Sequence, residues 1–187
     1  MEYKSQSLTK YLNDLSAKLC APGGGSAAAL NAAMGAALLS MVVNFTLGKP
    51  GYAGFEKELK RILGKSERLR RSFLRLVDSD VAAFKSGNIR KSLAVPLEVA
   101  RLSAKAQELC LPLLAKGNPN LASDIGVAAV FLESAFVAAR FNVEINLKAL
   151  NDAKLSQKTK NELGRMYRAI FRVRKVTEAQ VGKIIRR

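Results

Sequence analysis

Apolar residues recur along this chain at three- and four-residue intervals almost from end to end, the spacing that gathers side chains on one face of an α-helix. Leu8, Tyr11, Leu12, Leu15 and Leu19 predict a first amphipathic helix, with Ser7 placed to cap its start. The run Pro22-Gly23-Gly24-Gly25 ends it. From Ser26 to about Leu47 the sequence is rich in Ala and apolar on nearly every side, through Met34, Gly35, Leu38, Leu39, Met41, Val42 and Val43. A helix that is apolar all round has to be buried, in a core or in a membrane. Its length is adequate for a span, but Asn31, Ser40 and Asn44 interrupt it and Ala is only weakly lipid-loving, so the pattern predicts a central helix packed through small residues.

Beyond the Gly48-Lys49-Pro50-Gly51 loop, a long helix is predicted by one stripe of Phe55, Leu59, Ile62, Leu63, Ser66, Leu69, Phe73, Leu76, Val77, Asp80 and Phe84. Lys57, Lys60, Arg61, Lys65, Arg68, Arg70, Arg71 and Arg75 fill most of the other side. Gly87-Asn88 breaks the pattern, and a helix from about Ile89 to Lys116 follows, which Pro96 and Pro112 should kink or divide. Gly117-Asn118-Pro119-Asn120 is a stop signal, after which Ser123 or a neighbour can cap a second small-residue helix reaching about Leu150. The last helix, from about Ser156, carries Leu163, Met166, Tyr167, Ile170, Val173, Val176 and Val181. No stretch alternates with a period of two for long enough to form a strand, and no internal repeat is present. The expected class is all-α: one domain over residues 1–187, a helical bundle with long, partly kinked helices and no sheet.

Composition narrows the chemistry. The 187 residues, 49% of them hydrophobic, suffice for one real core. A formal charge of +16 points to an anionic partner, whether nucleic acid, a membrane surface or a polyanionic small molecule. Residues 154–187 are the most basic, with Lys and Arg at eleven positions against Glu162 and Glu178, which suggests a solvated helix face or a secondary nucleic-acid or membrane contact. Histidine is absent, so the commonest general base and metal ligand is missing, and no metal is expected. Cys20 and Cys110 stand far apart in apolar surroundings and read as reduced, buried thiols. The N-terminal residues lack the features of a secretory signal, so a cytoplasmic address and no membrane association are expected.

Four groups of residues could carry chemistry. In Pro22-Gly23-Gly24-Gly25-Ser26 the glycines let backbone approach a ligand at a helix N-terminus that favours negative charge, although a plain flexible connector has the same composition. Asp80 lies level with Phe73, Leu76, Val77 and Phe84, where a carboxylate is costly unless it is ion-paired or functional. Asn118, Asn120, Ser123 and Asp124 cluster at a helix entry, where capping would also explain Ser123 or Asp124. Asn142 and Asn146, four apart, present two amides on one face, for a planar heterocycle or for bonds between helices.

Several of these segments, taken in order, are familiar. Ala21 through Ala29, Asn44 through Tyr52, Asp78-Ser79-Asp80-Val81-Ala82-Ala83-Phe84, Val95 through Ala100, Gly117-Asn118-Pro119-Asn120 with Ser123 through Ala129, and Asn142 through Leu147 resemble the formiminotetrahydrofolate cyclodeaminase/methenyltetrahydrofolate cyclohydrolase family. The resemblance spans roughly residues 7 to 150. It implies an all-helical subunit, at least a homodimer, and a tetrahydrofolate derivative as substrate. Such enzymes either close formiminotetrahydrofolate with loss of ammonia or add water to the methenyl bridge and open it, through a delocalised amidinium cation. The resemblance further implies that Asp80 and Asp124 are the catalytic carboxylates. Asn118, Ser123, Asn142 and Asn146 are then expected to hold polar atoms of the ligand, and Gly23, Gly24, Gly25, Ser26 and Lys49 to contact its polar end. The basic excess would attract a folate's glutamate tail. Between the Asp-x-x-Ala-Phe and Val-Pro-Leu segments only Lys85 to Ala94 intervene, a shorter connection than this family usually carries.

Overall fold

A computed structural model describes residues 2–186, all of it helix, turn and loop. The α-helices are α1 (Leu8–Ser16), α2 (Gly24–Thr46), α3 (Glu56–Lys85), α4 (Ile89–Gln107), α5 (Cys110–Lys116), α6 (Ala122–Leu150) and α7 (Ala153–Ile185). The all-α bundle read from the sequence is the architecture found, and among the described residues there is no strand.

The bundle is organised around α2, which packs against α3 and α6. Its neighbours run antiparallel to it. Near its start Gly24 faces Asn142, in the middle Gly35 faces Leu132 and Ala128, and at its end Thr46 Oγ1 accepts the Asn118 N–H. Such close approach needs small residues. Ala29, Ala32 and Ala36 on α2 meet Ala128, Ala135 and Ala139 on α6 in two contiguous buried clusters, with Phe73 and Phe136 as the largest side chains filling the space between helices. The two hydroxyls buried between α2 and α3, Ser40 and Ser66, satisfy one another at 2.8 Å. Arg101 with Glu162 ties α4 to α7, and Arg174 with Glu133 ties α6 to α7. Both α2 and the stretch Pro119–Leu150 are long and apolar enough to cross a membrane; within the bundle 61% and 39% of their most apolar windows are buried.

Helix ends depart from the periodicity in instructive ways. α1 stops at Ser16, so Leu19 lies outside it and is exposed. The predicted helix from Ile89 to Lys116 is divided, but the break falls at Glu108–Leu109, ahead of Pro112. Pro112 lacks the N–H that would bond the Glu108 carbonyl and its ring crowds that carbonyl, so the chain breaks there and Pro112 sits in the first turn of α5. Pro96 remains inside α4. Ser123 is not a cap: α6 starts at Ala122, and it is Asn118 whose side chain caps the preceding 3-10 turn, accepting from Asn120 N. α7 begins three residues earlier than predicted because Asp152 caps it, accepting from Leu155 N.

The α2–α6 contact supplies a test of this packing. A Cβ at Gly35 would lie 2.9 Å from Leu132 Cγ and 3.3 Å from the Ala128 carbonyl oxygen. Gly35→Ala is therefore expected to lower stability to urea by about 1–3 kcal/mol despite the better helix propensity of Ala.

Candidate active site

The first turn of α2 is where the glycine run does its work. Gly23 is the N-cap in extended conformation and Gly24, Gly25 and Ser26 form the first helical positions, with amides that have no partner within the helix. Asp80 of α3 fills the space where a Gly25 side chain would be: a Cβ there would stand 2.2 Å from Oδ1, 2.7 Å from Cγ and 2.9 Å from Oδ2. The amide turn expected to receive a ligand anion thus holds the protein's own carboxylate. The nearby Ser26 N–H lowers the proton affinity of Asp80, but burial acts more strongly in the other direction, and the carboxyl is held above the usual carboxylate range.

Asp80 opens onto a cavity of about 310 Å³ lined also by Gly23, Gly24, Gly25, Asn142 and Asn146, the small end of the range for ligand clefts. Asn142 Nδ2 donates to the Ala138 carbonyl at 2.9 Å, and Asn146 Nδ2 donates to the Ser92 carbonyl at 2.7 Å, bridging α6 to α4. Each amide keeps its oxygen and a second N–H for a ligand. Phe84 and Ile145 form apolar walls and are 56% and 61% exposed, unusual for such side chains. No Lys or Arg lines this cavity, although the chain carries a net charge of +16. Its one carboxylate, unopposed by a cation, suits a ligand whose centre is positive.

The other expected site residues lie elsewhere in the protomer. Asp124 and Asn142 both sit on α6, eighteen residues apart, which at helical rise places them about 27 Å from each other along the axis. Asp80 and Asp124 therefore do not converge in one crevice of a single chain. Asn118 stands beside the end of α2, and Lys49 lines a separate small hollow with Tyr52 and Glu56. Ser123 is exposed at the rim of an apolar groove between α6 and α7. The sequence order of the motifs is correct, but the antiparallel packing of α2 and α6 sends them to opposite ends of the bundle.

Cys20, expected to be buried, is exposed and lines the Asp80 cavity. Cys110 is buried in the core, where burial pushes its thiol up to about 12. Among the described residues no group of three or more His, Cys, Asp or Glu could hold a metal ion. Sequence reasoning passed over Phe84, Ile145 and Ser92 as cavity residues. The signal for Phe84 was available, since it stands one helical turn beyond Asp80 on the same stripe.

The sequence model of the family described as formiminotransferase-cyclodeaminase matches residues 7–88 and 86–165. The chain belongs to that family. The two matched pieces meet within the short 85–94 connection, and Phe84 just ahead of it and Ser92 within it both line the cavity. Over 182 residues, 85% of this chain and 88% of the other, it is 34% identical to a methenyltetrahydrofolate cyclohydrolase of Methylorubrum extorquens. It is 31% identical to the formimidoyltransferase-cyclodeaminase of Rattus norvegicus over 84% of this chain, and spans about a third (33%) of that longer protein. A formiminotetrahydrofolate cyclodeaminase from Thermotoga maritima, solved by crystallography, superimposes with a TM-score of 0.93 and 28% identity, covering 98% of this chain and 100% of that one.

Proposed function

We propose that this family member is a one-carbon folate enzyme that hydrolyses the methenyl bridge of tetrahydrofolate, a methenyltetrahydrofolate cyclohydrolase. The observation that carries the reading is the partly buried Asp80, held on the α2 amide turn in a cavity without cations. The methenyl bridge is a cation delocalised over two nitrogens and the carbon between them, and a fixed carboxylate beside it stabilises that charge. Asp80 takes a proton from water as the water oxygen bonds the bridge carbon. The proton then passes to one ring-closing nitrogen as its bond to carbon breaks, and the remaining hydroxyl proton leaves to solvent as the formyl C=O forms. A carboxyl held above its usual range is a better base for the first step. Phe84 and Ile145 flank the planar pterin, and the Asn142 and Asn146 amides meet its polar edge.

Ring closure of the formimino compound with loss of ammonia passes through the same kind of cation, and the Thermotoga maritima neighbour carries the cyclodeaminase name. Hydrolysis comes first because the cyclohydrolase relative, covered to 88% of its length, is the more similar in sequence, 34% identical against 28% for the Thermotoga maritima cyclodeaminase. Loss of methenyltetrahydrofolate absorbance faster than the spontaneous rate supports hydrolysis. Ammonia released from the formimino compound without such loss would transfer the reading to the deaminase.

A homodimer is part of the proposal. α2 has no charged side chain, and by helical period its exposed Met34 and Phe45, like the exposed Val130 and Phe141 of α6, fall on the side where Asn31 bonds Ser134. Two copies paired on this face about a two-fold axis, with helices antiparallel, carry the Asn118–Asp124 end of each to the Asp80 end of the other. Lys49, Asn118, Ser123 and Asp124 then join the site in trans. Mixed dimers of Asp80→Asn and Asp124→Asn chains test this. Each inactive alone, they are expected to recover about a quarter of wild-type activity on random reassociation, because each heterodimer rebuilds one intact site. Full activity of Asp124→Asn by itself would remove Asp124 from the mechanism.

A further inference from the structure

Tyr11 is the one residue of α1 that is buried, 4% exposed, while its helix neighbours Leu8 and Leu12 face solvent. A phenylalanine would fill the same volume. The hydroxyl is therefore the feature that asks for a reason, since a buried O–H has to find a partner. It donates to Ser26 Oγ at 3.1 Å, a fully buried contact. Ser26 stands in the first turn of α2 next to Gly25, against whose Cα the Asp80 carboxylate packs, and its backbone N–H is close enough to favour the charged carboxylate. One residue thus accepts from Tyr11 with its side chain and forms, with Gly25, the turn on which the carboxylate rests.

The surroundings hold Tyr11 in place. The Tyr3 ring packs edge-on against it at 5.4 Å between centroids. Tyr3 is itself anchored twice, its hydroxyl donating to Asp14 and its N–H to Asp78 of α3. Lys10 pairs with Asp14. The ionisable groups around the Tyr11–Ser26 contact are thus Tyr3, Asp14 and Lys10 on the N-terminal side, Asp78 and Asp80 on α3, and Cys20 across the cavity. Asp14 and one oxygen of Asp78 are engaged by those bonds, the second Asp78 oxygen is buried without a partner, and Asp80 is the carboxylate whose charge acts on Tyr11.

We propose that Tyr11 is a positioning residue for Asp80: its hydroxyl, donated to Ser26 Oγ from beneath the first turn of α2, fixes the Gly25–Ser26 peptide on which the carboxylate rests. The role in turnover rests on Asp80 being the working carboxylate of the folate reading; the physical coupling of Tyr11 to Asp80 does not. Without the hydroxyl the turn loosens, the Ser26 N–H favours the charged carboxylate less, and the raising effect of burial on its proton affinity is less opposed.

The test uses Tyr11→Phe, Ser26→Ala and the double variant in the full chain. For Tyr11→Phe, kcat is expected to fall about tenfold with KM within about twofold, and the acidic limb of the pH–rate profile to move up by at least about half a unit. The double variant should lose no more than Ser26→Ala, because Tyr11 acts through Ser26. Independently of any folate, the Asp80 carboxyl carbon followed by NMR should titrate at higher pH in Tyr11→Phe than in wild type, with an unchanged helical circular dichroism spectrum. A pH–rate profile and an Asp80 titration both identical to wild type would overturn the proposal, whatever happened to stability. Absence of folate turnover in the wild type would instead sink the functional reading and leave the NMR titration to decide the role of Tyr11.

Discussion

Asp80→Asn is expected to lower methenyltetrahydrofolate hydrolysis by about 10²–10⁴-fold, with the helical fold retained. The amide keeps the shape of the carboxylate and its contact with the Gly25–Ser26 turn, but it can neither accept a proton from water nor oppose the positive charge of the bridge. Stability should move the other way. Burial raises Asp80 above the ordinary carboxylate value, so the folded state binds its proton more tightly than the unfolded chain does. Wild-type stability therefore declines as pH rises through the window between the ordinary value of 3.8 and the raised one, and the cost is fully present above it. Removing the charge relieves that cost. Urea melts at neutral pH should find Asp80→Asn at least as stable as wild type, with the difference fading toward the acid end of the window. Loss of activity together with gain of stability is the mark of a strained functional group rather than a structural one.

Gly25→Ala is the second large effect. With a Cβ placed 2.2 Å from Oδ1, the carboxylate must rotate away or the first turn of α2 must open. Either outcome separates Asp80 from the Ser26 amide, and activity is expected to drop by at least about a hundredfold, since a displacement of an ångström at a reacting group costs that much. Gly24→Ala is the control. Its Cβ would meet Asn142 Nδ2 at 3.5 Å, an ordinary contact that leaves Asp80 on its turn, so any loss should fall on KM while kcat stays within a few-fold of wild type. Both substitutions favour the helix by propensity. A general loosening of the N-terminus would therefore affect both alike, whereas a blocked carboxylate affects one.

The helices were legible in the sequence because every one long enough to matter presents an apolar face at a helical period, and α2 betrays its central place by having no polar face at all. Asp80 was legible for the same reason: on the stripe that carries Phe73 and Val77, a carboxylate stands out against its background. The end-points of α1, α6 and α7 were not, because single capping bonds such as Asp152 to Leu155 decide them and several residues compete for each cap. Nor was the arrangement of the site. The order of motifs along a chain says nothing about which helix ends meet, and Asp124 shares a helix with Asn142 yet sits at its far end. Tyr11 was hidden for a different reason. A tyrosine at a stripe position reads as core, and nothing in one dimension reveals that its hydroxyl finds Ser26. Cys20 followed apolar neighbours into the buried class, although it stands in the loop ahead of α2, at the cavity edge.

The most direct measurement is a crystal structure of the wild-type protein with a stable folate carrying a one-carbon group. The expected result places the one-carbon atom within about one water of an Asp80 oxygen, with the pterin between Phe84 and Ile145 and its polar edge at Asn142 or Asn146. A folate seated instead in the basic hollow between α3 and α4 that Lys65, Arg68 and Lys105 line, with the Asp80 cavity left to solvent, would contradict it.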